Sequence, residues 1–148
     1  MAANPLVDQG TLNRIRGSVV IPNFPSLNVT APFLGKAGIS VALQGESTLF
    51  VPTMTGAVTS PEPYMIAQVT IHLLKTQRLS SLYKQRMELD ARLGSLQVIP
   101  DSSAFPNYDF FNCAIASVRE MSMAGDDAGY VVSVHGYYNT NSSLWDLV

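Results

Sequence analysis

The chain has a single cysteine, few charged residues and no long apolar run, and each shortage excludes a class of protein. With Cys113 alone, an intrachain disulfide is impossible and no cluster of thiolates can hold zinc. Charged residues make up only 14% of the chain, against about 25% in an average soluble domain, so much of the surface is expected to be neutral and suited to contact with other protein. No apolar run approaches the roughly 20 residues of a membrane span, and the N-terminus lacks the basic-then-apolar order of a signal peptide. We therefore expect no membrane anchor and synthesis in the cytoplasm.

The lone cysteine lies in a strand-like pattern. Residues 111–115 alternate apolar with small or polar side chains, and no nearby His or Asn pattern supports a nucleophilic thiol. We interpret Cys113 as a buried, inert thiol.

The net charge of −2 is unevenly distributed. Residues 75–94 include five basic and two acidic residues, whereas the rest of the chain includes four basic and nine acidic ones. This predicts a basic helix on an acidic β body. A strand surface that binds nucleic acid would instead concentrate Lys and Arg to displace counterions from phosphate.

The segment 64–74 is the clearest secondary-structure element. Every odd position from 65 to 73 is apolar, whereas the even positions include Gln68, Thr70 and His72. Alternation with a period of two predicts a strand with one buried face.

One amphipathic helix is expected over about 77–93. Thr76 would cap its N-terminus, and Gly94 is placed to end it in the left-handed conformation. The apolar stripe of this helix would contain Leu79, Leu82, Tyr83 and Leu93, with Met87 and Leu89 at its margins.

Two opposite charges, Arg86 and Asp90, interrupt that stripe one turn apart and can pair with each other. Either their stems cover apolar surface while the charged groups reach water, or they form a pair at a subunit contact.

The remaining strands are predicted at 13–24, 38–44, 95–99, 110–121 and 129–138, with 122–128 as a hairpin connection. The predicted fold is mainly β, a β-sandwich or partly closed barrel with one flanking α-helix, in a single domain spanning 1–148. Its outward strand positions are polar but nearly free of charge: Ser18, Ser40, Gln44, Gln68, Thr70, Asn112 and Ser133.

Three segments fall outside this core pattern. Residues 1–10 form an N-terminal arm, residues 45–63 form an extended hairpin or binding loop, and residues 139–148 form a polar tail ending in large apolar residues. Apolar residues in such segments suggest docking on this domain or on a neighbour.

Local motifs give no support for an enzyme, a metal site or a cofactor. His72 and His135 lie on separate strands without ligand spacing around them, and Asp126 and Asp127 lack the alternating oxygen ligands of a calcium loop. The chain also has no phosphate-binding Gly loop, nucleophile elbow or dinucleotide fingerprint.

The order of several short segments resembles the tail tube proteins of contractile-tailed bacteriophages, over almost the whole chain. The segments are Gly17-Ser-Val-Val20, Asn23-Phe-Pro-Ser-Leu-Asn-Val29, Gly45-Glu46, Met54 to Tyr64, Val69 to Thr76, Asp127-Ala-Gly129, Gly136-Tyr-Tyr138 and Asn141-Ser-Ser-Leu-Trp145. The wider family includes the tube proteins of secretion systems, which the chain resembles less than it resembles the phage proteins.

The resemblance implies a structural virion protein of the phage tail, assembled in the host cytoplasm. Six copies would form a ring, and rings would stack into a hollow tube inside a contractile sheath. Its partners would be other copies, the sheath protein, and baseplate and neck proteins, while DNA and the tape measure protein would pass through the lumen without specific binding.

Three sets of candidate site residues follow. The contacts between subunits or rings are expected at Thr48, Leu49, Phe50, Val51, Met54, Thr55, Val58, Leu144 and Trp145. The candidate lumen-facing residues are Ser40, Gln44, Gln68 and Thr70. The candidate sheath-facing residues are Arg78, Lys84 and Arg92.

Other functions remain open from the sequence. A tube initiator or terminator of the baseplate or neck is expected to form one ring rather than a growing stack. A small-molecule-binding β-barrel needs an interior pocket. The acidic β body argues against an oligonucleotide-binding barrel.

Overall fold

The computed structural model describes residues 15–74, 78–102, 105–121 and 129–145. Within these ranges the chain forms eight strands, two α-helices and two short 3₁₀ helices. The strands are β1 (Gly17–Val20), β2 (Leu34–Gln44), β3 (Thr48–Pro52), β4 (Ala57–Pro61), β5 (Tyr64–Leu74), β6 (Arg92–Pro100), β7 (Tyr108–Met121) and β8 (Gly129–Asn139). The α-helices are α1 (Arg78–Leu89) and α2 (Ser142–Trp145), and the 3₁₀ helices are Pro25–Leu27 and Ala31–Phe33. The predicted arm (1–10), the Thr76 cap and the 122–128 connection, with Asp126 and Asp127, lie outside the described residues.

Six strands form one antiparallel sheet in the order β1-β6-β7-β8-β5-β2. The sheet curls into a nearly closed barrel, so the prediction of a mainly β, partly closed barrel with one substantial helix is confirmed. The edge strands β1 and β2 are not hydrogen-bonded to each other. Val19 of β1 instead exchanges two backbone hydrogen bonds of 2.9 Å with Val29.

The core fills the inside of this barrel. Alternate residues of the paired strands point inward, and loop residues close the side beside β1. The buried set includes Val19, Ile21, Leu27, Val29, Ala67, Val69, Ile71, Leu73, Leu96, Phe110, Ile115, Val132 and Val134. Burial of a branched or aromatic side chain stabilises the fold by about 1.5–3 kcal/mol each, so the alternation is the main source of stability.

β5 has the predicted bounds and the predicted faces. Its odd positions from Ala67 to Leu73 are buried, and its register with β8 places Val69 opposite Val134 and Ile71 opposite Val132. On β2, the alternation in the predicted strand 38–44 places Ile39, Val41 and Leu43 on one inward face, so Leu43 is expected in the core. It pairs with the buried Ala67 but is 38% exposed, because β2 is the edge strand of the sheet that the described residues form.

The predicted helix is too long at its C-terminal end. α1 ends at Leu89, and the chain continues after residues 90–91 as β6. Leu79 and Tyr83 are buried as expected, and the Tyr83 hydroxyl donates to the Leu27 carbonyl at 2.7 Å. Leu89 is 84% exposed because no element covers the last turn of α1 among the described residues, and Leu93 is buried as a strand residue.

Gly94 has the positive φ that was predicted for it, +80°, but it lies within β6 rather than at the end of the helix. The pairing of β6 with β7 shifts register on both sides of Gly94. Its Cα approaches the Asn23 side-chain amide, which occupies the space where a Cβ would lie. Gly94 therefore permits an irregularity in the sheet.

β1 is shorter than the predicted 13–24 strand. It ends at Val20, two residues before Pro22. The N–H of the next residue, Ile21, donates to a side chain, Asn28 Oδ1, at 2.8 Å. The alternation in 13–24 places Ile15, Val19 and Ile21 on one face and predicts that Ile15 is buried with the other two, but Ile15 is 45% exposed.

Candidate interaction surface

Within the segment 45–63, predicted as an extended hairpin or binding loop, β3 and β4 pair antiparallel and form their own two-stranded sheet. The register places Phe50 opposite Thr59 and Val51 opposite Val58. The Thr53 N–H donates to the Gly56 carbonyl at 2.7 Å and closes the turn. Residues 48–61 contain no charged side chain.

Both faces of the hairpin expose large apolar side chains. Leu49, Val51 and Val58 share one face, and Phe50 lies on the other with 66% of its surface exposed. Met54 at the tip is fully exposed. Because an isolated two-stranded hairpin is marginally stable in water, and an exposed apolar patch marks an interaction site, this hairpin has the properties of a surface that another protein covers.

The C-terminal segment lies against the root of the hairpin. Asn141 Nδ2 donates to the carbonyls of Ser47 (2.9 Å) and Glu62 (2.8 Å), and Thr140 Oγ1 donates to the Glu62 carbonyl at 2.7 Å. Leu144, 67% exposed, follows within one turn of α2. The fold therefore brings Leu144 to the same end of the molecule as the predicted hairpin contacts: Thr48, Leu49, Phe50, Val51, Met54, Thr55 and Val58.

Trp145, the remaining predicted contact residue, is the last residue of α2. Its backbone thus belongs to the same C-terminal segment at the root of the hairpin.

The four candidate lumen-facing residues share one face of β2 and β5. Ser40 is paired with Thr70, and Gln44 Nε2 donates to Gln68 Oε1 at 2.9 Å. The neighbouring strands β2, β5 and β8 are each eleven residues long. β2 contains one charged residue, Lys36, and β5 and β8 contain none. This face thus offers hydrogen-bonding groups without a cluster of fixed charge.

Ser133 was expected to be exposed on the same face, and this is wrong. Ser133 lies opposite Thr70 and is 1% exposed, because the Gln68 side chain reaches over it and donates from Nε2 to Ser133 Oγ at 3.3 Å. A short side chain between longer neighbours is covered even on the outer side of a sheet.

An aromatic cluster on the outer face was missed from the sequence. The Tyr137 ring lies 6.0 Å from the Tyr64 ring and 5.7 Å from the Phe111 ring, centroid to centroid. Ile66 is paired with Tyr137, and Tyr64, Ile66 and Phe111 are all exposed. The signal was present at the even positions 64 and 66 of β5, which are apolar. The outer face is therefore polar in its middle and apolar beside the hairpin.

The three candidate sheath-facing cations lie on or beside α1 and are exposed, but two are paired with acids. Lys84 Nζ lies 2.7 Å from Glu88 Oε1, and Arg92 Nη2 lies 3.0 Å from Asp90 Oδ2. The hydrogen bonds from Arg92 lower the pKa of Asp90 to about 2, and Glu88 raises the pKa of Lys84. Arg78 makes no ion pair with any residue that the structure describes. The basic excess of this region is therefore partly neutralised within the chain.

Arg86 and Asp90 do approach each other, at 4.0 Å, but Arg86 has stronger partners. Its guanidinium lies 3.9 Å from the centroid of the Phe24 ring, and Nη2 donates to the Arg92 carbonyl at 3.2 Å. The expectation that the charged group of Arg86 reaches water is therefore wrong: the guanidinium itself packs on the Phe24 ring, and its buried Nε has no hydrogen-bond partner among the described residues.

The groups considered for chemistry do not converge. His135 is paired with Gln68 and His72 with Val131, so four residues of strand separate the two imidazoles, roughly 13 Å. Among the described residues, no three His, Cys, Asp or Glu side chains come together as a metal site. Cys113 is buried as expected, and burial raises the pKa of its thiol to about 11.

A groove of about 550 Å³ lies at the seam between the edge strands β1 and β2. Its walls are mostly apolar and include Gly17, Leu34, Ile39, Val41, Val98 and Tyr108. The groove exists because β1 and β2 do not pair, which leaves the inside of the barrel accessible there.

None of the helices that the structure describes combines the length and the apolar character needed to cross a membrane. The sequence matches no protein-family model and no curated protein.

Proposed function

We propose that this chain is the tail tube protein of a contractile-tailed bacteriophage, whose copies assemble into hexameric rings that stack as a conduit for DNA. The observation that carries the proposal is the uncharged hairpin 48–61, with large apolar side chains exposed on both faces. A solvated hairpin of this composition is unstable alone and prone to association. A second copy of the chain is the simplest partner that covers it.

The two ends of the molecule support stacking in one direction. β5 begins three residues after the hairpin and ends four residues before α1, so the hairpin and the N-terminus of the charged helix are separated by about 35 Å of strand. Contacts between unlike surfaces are heterologous, and they extend a stack rather than close a dimer.

The low charge of the strands β2, β5 and β8 supports passage of a polyanion. DNA binding requires Lys and Arg that release counterions from phosphate, and β2, β5 and β8 have one such residue among them, Lys36. In the proposed tube, Ser40, Gln44, Gln68 and Thr70 would face the lumen and Arg78, Lys84 and Arg92 the sheath. The sheath, baseplate, neck and tape measure proteins are partners on the resemblance alone.

Electron microscopy and sedimentation velocity of the purified protein test the proposal. We expect tubes of stacked rings, in equilibrium with small species at low concentration. Phe50→Asp should raise the concentration needed for assembly by at least roughly 100-fold, because it removes an apolar contact and places a carboxylate in an interface. The matched control is Leu89→Asp, which changes an apolar residue of α1 that is 84% exposed, against 66% for Phe50, and should leave assembly intact.

Two results would contradict the proposal. One is wild-type protein that stays monomeric at every concentration, and the other is Phe50→Asp assembling as readily as wild type. Discrete single rings that never lengthen would favour the initiator or terminator alternative.

The groove at the β1–β2 seam favours one second candidate, a carrier of a small apolar ligand. This function predicts a stable monomer that binds an apolar fluorescent probe saturably, with one site per chain. Ile39→Trp, which fills the groove, should then abolish probe binding.

A further inference from the structure

We infer that Asn141 is a positioning residue that fixes the hairpin β3–β4 at a set angle to the barrel, and thereby prepares it for contact with a second copy. The inference about the angle stands on hydrogen bonds alone. Its consequence for assembly rests on the proposed function.

The hairpin needs such an attachment because the sheet does not supply one. β3 and β4 pair only with each other among the described strands, and the chain enters and leaves the hairpin through residues 45–47 and 62–63. At the root, the Glu62 N–H donates to the Ser47 carbonyl at 2.9 Å. This bond joins the two arms of the hairpin to each other but not to the barrel.

Asn141 makes the connection to the barrel. Its Nδ2 donates to the carbonyls of both arms, Ser47 and Glu62, at 2.9 and 2.8 Å. Thr140 adds two bonds, from Oγ1 to the Glu62 carbonyl at 2.7 Å and from its N–H to the Pro63 carbonyl at 3.0 Å. Since residue 139 is the end of β8, the central strand beside β5, the attachment leads directly into the most regular part of the sheet.

The backbone conformation of Asn141 fits this role. Its φ is +52°, in the left-handed region that asparagine tolerates better than most residues. This turn directs the side-chain amide back toward the hairpin root while the chain continues into α2. An amide with two N–H donors can bind two carbonyls, whereas a carboxylate of the same shape would face both carbonyls without a proton.

The attachment also couples the two predicted contact segments. The Leu144 N–H donates to the Asn141 carbonyl at 3.0 Å, so the exposed Leu144 is placed relative to the same residue that holds the hairpin. A partner that binds both segments meets them in a fixed arrangement, which lowers the entropic cost of association.

Hydrogen–deuterium exchange on the unassembled protein tests the attachment. Asn141→Gly keeps the left-handed backbone and removes both donors, and Asn141→Asp keeps the shape and replaces the donors by acceptors. In both variants we expect the cross-strand amides of β3 and β4 to exchange roughly tenfold faster or more, while the amides of β5 and β8 keep their wild-type rates. The matched control is Asn112→Gly, since Asn112 has the same φ of +52° and lies in β7; it should leave the hairpin amides unchanged.

Thr140→Val provides a second, independent variant, because it removes only the Oγ1 bond and preserves the side-chain shape. It should produce a smaller acceleration in the same amides. If hairpin exchange in Asn141→Gly and Asn141→Asp equals that of wild type, the attachment is overturned.

Electron microscopy of the same variants separates this inference from the proposed function. Faster hairpin exchange together with fewer or shorter tubes supports positioning. Faster exchange with normal tubes overturns positioning and leaves the tube function standing. If wild-type protein forms no tubes, the proposed function fails, and the exchange rates alone still decide whether Asn141 holds the hairpin.

Discussion

Substitution of Gly136 by alanine should destabilise the barrel by overpacking at one defined contact. A Cβ on Gly136 would lie 2.5 Å from Cys113 Sγ, 3.0 Å from the Phe111 carbonyl oxygen and 3.4 Å from Cys113 Cα. Ordinary van der Waals contact begins near 3.4 Å, so the sulfur must move by about 0.9 Å in a packed interior that has few voids. The backbone oxygen cannot move without disturbing the pairing of β7 with β8.

The expected cost is about 2–3 kcal/mol, toward the upper end for inserting a methyl group into a packed core. For a chain of this length, that corresponds to a fall in Tm of roughly 5–10 °C. The assay is urea and thermal unfolding followed by circular dichroism. Gly56→Ala is the matched control, because a Cβ there meets nothing within 4 Å, and it should unfold within about 0.5 kcal/mol of wild type.

A double-mutant cycle identifies the cause. Cys113→Ala removes the nearest obstacle, so Gly136→Ala should cost about 1–2 kcal/mol less in the Cys113→Ala background than in wild type. Some cost should remain, since the Phe111 carbonyl stays in place. A wild-type Tm for Gly136→Ala, or strictly additive effects in the cycle, would refute the packing argument.

Two further predictions concern titratable groups. Burial raises the pKa of Cys113 to about 11, so only roughly one thiol in a thousand is ionised at about pH 8. The native protein should therefore react with a disulfide reagent far more slowly than the urea-unfolded chain. Equal reaction rates would contradict the burial of Cys113. Hydrogen bonds from Arg92 lower the pKa of Asp90 from 3.8 to about 2, so the stabilisation is present above the unfolded pKa and is lost as the pH falls through the folded pKa. Asp90→Asn should lower the urea midpoint near neutral pH and have a much smaller effect at about pH 2, where half of the native carboxyl groups are protonated. A difference that persists undiminished in acid would exclude the ion pair as its cause.

Elements with a strong local period were predictable from the sequence. The alternation in 64–74 predicted the bounds and the buried face of β5. Apolar side chains at every odd position lie on one face only if the segment is a strand. Residues 45–63 were predicted to form an extended hairpin or binding loop, because a long connection inside a domain usually has a function, and the structure shows two paired strands there.

Features that depend on distant parts of the chain were not predictable. Gly94 was predicted to have a positive φ and has one. A left-handed glycine, however, fits the end of a helix and an irregularity in a sheet equally well. The pairing of β6 with β7, which the local sequence does not show, places Gly94 within the sheet. Similarly, Asn141 and Ser47 are 94 residues apart. The sequence predicted the hairpin and the C-terminal segment as separate contact regions, and the attachment between them appears only in the fold.

The composition of the hairpin itself argues that it is covered in the functional state. Proteins that keep an edge strand permanently in water protect it with charged side chains, above all lysine, yet residues 48–61 have none. The hairpin does end each strand with a proline, Pro52 and Pro61, which has no N–H to donate and so limits the addition of further strands at those positions. The two prolines therefore limit the pairing of further strands with the hairpin, but they do not prevent contacts made by its side chains. A partner that covers Phe50, Val51 and Val58 by packing fits this combination better than one that extends the two-stranded sheet.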